Sequence, residues 1–150
     1  MIYITEINEN NIEQAKKLEV SEKQKNFLDN SVGIIKRAED YKRLNPHLFG
    51  IAKGEELVGL ALVKDFAEEP FGYDLQQFMI DKSFQNKGYG TEALKLILDF
   101  LKNEKRFDHV ELCVNKSDVP AIKLYKKAGF KDSGYVDENL PDCINMIYYL

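Results

Sequence analysis

Gln85-Asn86-Lys87-Gly88-Tyr89-Gly90-Thr91-Glu92-Ala93 stands where an extended apolar stretch, Tyr73 to Ile80, gives way to a helical pattern. From Gly88 to about Lys102 the apolar positions Leu94, Ile97, Leu98 and Leu101 recur on one helix face, which must be buried against a partner. A helix that opens straight after two closely spaced glycines leaves its first N–H groups without intrahelical acceptors. Those N–H groups and the helix macrodipole favour an anion, by about 0.3–1 kcal/mol per exposed charge and up to ~2 kcal/mol when partly buried. A diphosphate fits such a cradle. Glycine at 88 and 90 keeps Cβ atoms out of its way, and Lys87 adds a mobile positive charge. A Gly-x-Gly pair alone does not separate this cradle from a tight helix start with no ligand.

Upstream, Leu48 to Lys53 and Leu57 to Lys64 flank Gly54-Glu55-Glu56, a short glycine-bearing connection that suits a hairpin. With Tyr73 to Ile80 they predict three successive antiparallel strands. Before them stand a strand over Ile2 to Ile7 and helical stretches over about Asn11 to Leu18 and about Val32 to Leu44. Downstream, His109 to Val114 alternates as a strand with Val110, Leu112 and Val114 on one face. Ser117 or Asp118 caps a further helix that tolerates Pro120 in its first turn and ends at Gly129. Two last strands, about Lys131 to Asp137 and Cys143 to Tyr149, close the chain. The order predicts an α+β fold with a mixed, mostly antiparallel sheet of about seven strands flanked by about four helices.

At 150 residues, with 44% hydrophobic and 31% charged side chains, the chain is expected to form one globular domain. No apolar run approaches the roughly 18 residues of a membrane helix. The segment Met1 to Asn11 is polar and acidic, unlike a secretory signal, so a soluble cytoplasmic protein is expected. Twenty-one Lys and Arg against 25 Asp and Glu give a net charge of -4, which disfavours nucleic acid as a ligand. Cys113 and Cys143 lack a Cys-x-x-Cys spacing or a histidine cluster, so they read as buried free thiols with no metal site.

The loop resembles the Gln/Arg-x-x-Gly-x-Gly/Ala motif of the GNAT superfamily of acyl-CoA N-acetyltransferases. About 30 residues further on, Asp118-Val-Pro-Ala121-Ile-Lys-Leu-Tyr125-Lys-Lys-Ala-Gly129-Phe130 resembles that superfamily's second signature. Within it, Val20-Ser21-x-x-Gln24, Phe27, Phe78-Met79-Ile80-Asp81 and the run Phe84 to Gly90 look most like bacterial spermine/spermidine acetyltransferases. The resemblance implies acetyl-CoA as co-substrate, a primary amine such as spermidine or spermine as acceptor, and no metal. It implies that Gln85, Asn86, Lys87, Gly88, Tyr89, Gly90 and Thr91 hold the pyrophosphate, and that the backbone of Phe78, Met79 and Ile80 pairs with the pantetheine arm. Tyr125 matches the tyrosine that gives a proton to the departing thiolate. Asp118 stands where the family usually has Asn, and serves either the coenzyme or the helix as a plain cap. Oligomeric state stays open, a homodimer being what would suit the family.

The proton on the attacking amine is the harder matter. An amine with a pKa near 10.4 costs roughly 4.6 kcal/mol to deprotonate at pH 7. Gln76 occupies a position where a carboxylate would be convenient, with Asp74 two residues earlier and on the same face by simple alternation. Water-relayed removal, with Asp74 as one route, leaves the general base unassigned. Asp65, Glu68 and Glu69, and Asp137, Glu138 and Asp142, are expected to bracket the acceptor mouth, and His47 beside Pro46 to lie in a turn. Gly88-Tyr-Gly90-Thr-Glu-Ala93 also satisfies a dinucleotide fingerprint, but seven residues part Ile80 from Gly88 where a Rossmann strand runs almost directly into its first glycine. A domain that binds acyl-CoA without catalysis is the other alternative.

Overall fold

The computed structural model describes residues 1–150. Seven strands form one sheet in the order β1-β2-β3-β4-β5-β7-β6. They are β1 (Tyr3–Glu6), β2 (His47–Lys53), β3 (Glu56–Asp65), β4 (Tyr73–Ile80), β5 (His109–Asn115), β6 (Lys131–Asp132) and β7 (Cys143–Tyr149). Neighbours run antiparallel except β4 and β5, which are parallel. Four α-helices accompany them: α1 (Ile12–Ala15), α2 (Ser31–Asp40), α3 (Tyr89–Glu104) and α4 (Val119–Ala128). The mixed, mostly antiparallel α+β architecture is the one the sequence predicts.

β3 is apolar on both sides because the sheet is covered on both. Ala61 and Val63 join Leu94, Ile97, Leu98 and Leu101 of α3, whereas Leu60 and Leu62 join Ala15, Leu18 and Ile34 of the opposite layer. The α3 stripe is buried at every position its spacing selects. α4 begins where the Asp118 side chain accepts the N–H of Ala121 at 3.3 Å, and ends at Gly129 in the left-handed region, φ 111°.

Only Tyr73 with Val110 and Asp74 with Glu111 pair β4 to β5. Beyond them the two strands part. Between β3 and β4 the register jumps from Val63 opposite Leu75 to Leu62 opposite Gln77, so Gln76 is an extra residue in β4. Such a bulge bends its strand and raises the local twist, which carries the end of β4 away from β5.

Several expectations change. The first helical stretch is a single turn, and the second stops at Asp40, with a 3₁₀ turn over Lys42–Leu44 and a left-handed Asn45 before Pro46. A residue preceding proline is pushed out of the helical region, which ends the segment there. β6 keeps two residues, because Gly134 at φ 79° turns the chain off the sheet. Cys113 is exposed rather than buried, since Val110, Leu112 and Val114 occupy the inner face of β5. Its thiol is pushed up to about 12, chiefly by partial desolvation and then by the adjacent Cys143, which is half-buried. No helix is long and apolar enough to cross a membrane.

His47 is not in a turn. It opens β2, stacks on Phe49 at 5.3 Å, and lies between Glu6 Oε1 (3.3 Å) and Glu104 Oε2 (2.7 Å). Hydrogen bonding to Glu6, helped by Glu104 and opposed by burial, raises its pKa. Protonated His47 is therefore favoured more in the folded chain than in the unfolded one. That stabilisation is complete below the unfolded pKa of about 6.5 and fades as pH rises through the higher folded value. We expect His47→Gln to lose about 1 kcal/mol more, relative to wild type, at pH 6 than at pH 9 in urea unfolding. An equal deficit at both pH values would show that the imidazolium is not what the two glutamates hold.

Candidate active site

The opening between β4 and β5 is a cleft of ≈ 540 Å³. Leu75 to Ile80 of β4 form one wall, and Cys113, Val114 and Asn115 of β5 the other. The loop from Phe84 to Thr91 and the first turns of α4 close its base, and Val20 to Leu28 cover it from the side.

Local interactions shape the loop. Asp81 caps a 3₁₀ turn (Lys82–Phe84) by accepting the N–H of Ser83 at 3.0 Å, and its other oxygen accepts the N–H of Glu19 at 2.8 Å. Gln85 is extended, and its Nε2 donates to Ile80 O at 2.9 Å and to Gln24 Oε1 at 2.7 Å. Asn86 (φ 62°) and Gly88 (φ 84°) then turn the chain through the left-handed region into α3. The main-chain N–H groups of Asn86, Lys87, Gly88, Tyr89, Gly90 and Thr91 donate to no protein acceptor. Six consecutive free donors at the head of a 16-residue helix are an anion site in the physical sense.

Within the protein itself the two glycines meet different constraints. A Cβ on Gly88 would meet no protein atom, so glycine is required there for its positive φ. A Cβ on Gly90 would lie 3.3 Å from a Leu124 methyl, so its smallness sets how closely α3 and α4 approach.

Phe78, Met79, Ile80, Gln85, Asn86, Gly88, Tyr89, Gly90, Thr91, Asp118 and Tyr125 all line the cleft. Lys87 does not: its ammonium lies over the Phe84 ring at 5.7 Å. The Tyr125 ring packs edge-on between Phe78 (6.4 Å) and Phe130 (5.8 Å), and its hydroxyl has no hydrogen-bond partner. Burial first, and then the charge of Asp118, raise its pKa, so the phenol holds its proton firmly. Asp118 is itself buried, its carboxyl raised by desolvation, and Oδ1 is committed to capping α4.

The acidic residues behave otherwise than expected. None of Asp65, Glu68, Glu69, Asp137, Glu138 and Asp142 lines the cleft. Asp65 is buried between Arg106 and Asn45 Nδ2. Asp74 is paired with Lys64 Nζ at 2.9 Å, and burial raises its carboxyl against that ion pair. The bulge shifts the alternation of β4 by one residue, so Gln77, opposite Leu62, comes to the face of Asp74, opposite Lys64.

Sequence reasoning did not assign the Val20–Leu28 wall to the site. It has no periodicity, and its signal is the capping box Ser21-x-x-Gln24, present in the structure around the 3₁₀ turn Glu22–Gln24.

The sheet is thus split at one parallel junction, and a loop with six free main-chain N–H groups closes the base of the split. The chain belongs to the acetyltransferase (GNAT) family, whose model matches residues 12–130. It is similar to the spermine/spermidine N(1)-acetyltransferase of Bacillus subtilis (strain 168), with 28% identity over 131 residues covering 81% of this chain and 82% of that one. Its fold matches the spermidine N-acetyltransferase from Vibrio cholerae, solved with CoA and spermine, at TM-score 0.73 and 13% identity, covering 99% and 95% of the two chains. It also matches an aminoglycoside acetyltransferase in complex with coenzyme A at TM-score 0.76 and 16% identity, covering 99% and 95%.

Gly88→Ala should lower the unfolding free energy by roughly 1–2 kcal/mol, the cost of a Cβ in the left-handed region. Gly90→Ala, in the helix, should cost less, because a flexible leucine can yield. Urea denaturation of both variants checks the ranking, and equal losses would refute it.

Proposed function

We propose that this enzyme transfers the acetyl group of acetyl-CoA to a primary amine, a polyamine such as spermidine or spermine, by direct attack. The observation that carries this is the run of free main-chain donors at the head of α3, opening into a cleft walled by an unpaired strand edge. Pyrophosphate would be held by the N–H groups of Asn86 to Thr91. The pantetheine amides would pair with the β4 backbone at Phe78, Met79 and Ile80, where β5 no longer does so. Lys127 and Lys23, both lining the cleft, add positive charge for the phosphates.

When bound, the coenzyme supplies an activated acetyl thioester. The amine lone pair forms the C–N bond and the C–S bond breaks. Tyr125 gives its proton to the leaving sulfur and is reprotonated, through water, by the proton shed from nitrogen. A phenol whose pKa is raised stays protonated across the working range, as a donor must. No carboxylate other than Asp118 lines the cleft, so the amine must arrive neutral or lose its proton to water.

The polyamine acceptor is supported by the similarity to the Bacillus protein and by the net charge of -4, which attracts polycations. The same reading takes the enzyme to be a single-domain cytoplasmic protein acting on a small molecule, without nucleic acid or a membrane surface, and leaves its oligomeric state open.

Thiol release on mixing with acetyl-CoA and spermidine, spermine, an aminoglycoside or a lysyl peptide tests the acceptor. We expect turnover with the polyamines and a rate that climbs with pH from 7 to 9 as the free amine accumulates. Tyr125→Phe should lower kcat about 100-fold or more while coenzyme affinity stays within a few-fold. Tight coenzyme binding with no turnover of any amine would instead identify an acyl-CoA-binding module.

A further inference from the structure

Asp118 is the one carboxylate that lines the cleft, and no cation of the protein is paired with it. It sits where β5 hands over to α4. Its N–H donates to Asn115 O at 2.9 Å and its carbonyl accepts the N–H of Ile122 at 3.1 Å, which fixes the residue at the cleft wall with only 8% of its surface exposed. Oδ1 accepts the N–H of Ala121 at a long 3.3 Å. Oδ2 has no partner in the protein and is not sealed from solvent.

The surroundings offer it no compensation. Lys23 on the side wall and Lys127 further along α4 line the same cleft without pairing with it. Tyr89 at the head of α3 and Tyr125 on α4 bring phenols, and Cys113 on β5 brings a thiol pushed up to about 12. Leu75 to Ile80 of β4 contribute amides and apolar side chains alone. Just outside, Lys116 and Asp142, joined through the Lys116 N–H and the Asp142 carbonyl, make no ion pair with it either. The contrast with the other two buried aspartates is plain: Asp65 has Arg106, and Asp74 has Lys64.

A buried carboxylate without a cation takes up a proton when its surroundings become drier or more negative. Desolvation already holds the Asp118 carboxyl above its ordinary value in the open cleft. A coenzyme filling the cleft would strip the remaining water from Oδ2 and bring phosphate charge of the same sign to the Asn86–Thr91 loop. Protonation also changes what the side chain can bond. An ionised carboxylate only accepts, whereas the acid donates through one oxygen and accepts through the other. Oδ1 can thus stay on the Ala121 N–H while Oδ2 serves a carbonyl in the cleft.

We propose that Asp118 takes a proton from solvent when CoA or acetyl-CoA enters the cleft, its Oδ2–H donating to a carbonyl of the coenzyme while Oδ1 keeps the cap of α4. The proposal rests on the acetyltransferase reading above. It makes coenzyme affinity depend on pH, and it removes Asp118 as a base for the attacking amine. The carboxyl is the weaker acid in the complex, so affinity is greatest below its pKa in the free protein. Affinity then falls, by up to about tenfold per pH unit, as pH rises toward the pKa in the complex.

Calorimetric titration of CoA into wild type and Asp118→Asn, from about pH 5.5 to 8 in buffers of different ionisation enthalpy, tests this. Asparagine caps a helix as well as aspartate does, so the variant should fold with a Tm near that of wild type. We expect wild type to take up more protons per CoA than the variant, and the ratio of wild-type to variant Kd to grow at least fivefold across the range. Titration of the CoA phosphates and of both histidines is common to the two proteins and cancels in that ratio. Infrared difference spectra should show a carboxylic-acid band on CoA binding to wild type that the variant lacks. Equal proton uptake with parallel affinity profiles would overturn the assignment and leave the acetyltransferase reading intact. Should the variant fail to fold, wild type decides alone, since CoA binding without an acid band would overturn the assignment equally. Wild-type protein that binds no CoA at any pH would overturn both.

Discussion

Two residue pairs, Tyr73 with Val110 and Asp74 with Glu111, are all that join β4 to β5, and the site exists because the pairing stops there. Each strand is secured on its other side: β4 by a ladder to β3, and β5 by seven pairs to β7. They can therefore diverge without giving up their remaining hydrogen bonds. The junction itself is interlocked. Tyr73 Oη donates to Glu104 at 2.8 Å, its ring meets Phe107 edge-on at 5.1 Å, and Asp74 holds Lys64 beneath the Tyr41 ring. A firm corner and a bulge just beyond it turn one continuous sheet into two plates with a cleft between them.

The opening becomes a site because β4 and the loop reach outward as well as inward. Gln77 takes the N–H of Asp29, Asp81 takes that of Glu19, and Gln85 donates to Gln24. These three side chains fasten the Val20–Leu28 segment along the side of the cleft. The same Gln85 also bonds Ile80 O, so the end of the strand, the turn into α3 and the side wall are tied together. Glycine-permitted left-handed backbone at residue 88 then delivers the helix with its first N–H groups unspent.

Elements with a period of their own were legible in the sequence. The α3 stripe, the alternation of β5 and the Asp118-to-Gly129 frame of α4 follow from spacing and capping, and they carry Tyr125, Asp118 and the loop into one cleft. The bulge was not legible, because a register shift is a relation between β3 and β4 and leaves the pattern of either strand almost unchanged. Nor was the outward course of Lys87, which settles on Phe84, or the exposure of Cys113, whose apolar neighbours take the inner face. The Val20–Leu28 wall takes its shape from side chains more than 40 residues away in sequence, and no local pattern encodes that.

Charge placement explains the remaining difference between the two views. Counting residues suggests an acidic mouth, yet the carboxylates nearest the sheet junction are neutralised in pairs: Asp65 by Arg106 and Asp74 by Lys64. A lone ionised carboxylate in that half-buried setting would be costly, so the fold supplies each with a cation. The consequence reaches the chemistry. With its nearby carboxylates committed, the cleft presents hydrogen-bond donors, one firmly protonated phenol and uncharged amides. On the proposed reading, such a surface would assist a leaving thiolate, while proton removal would fall to water and to the amine's own equilibrium.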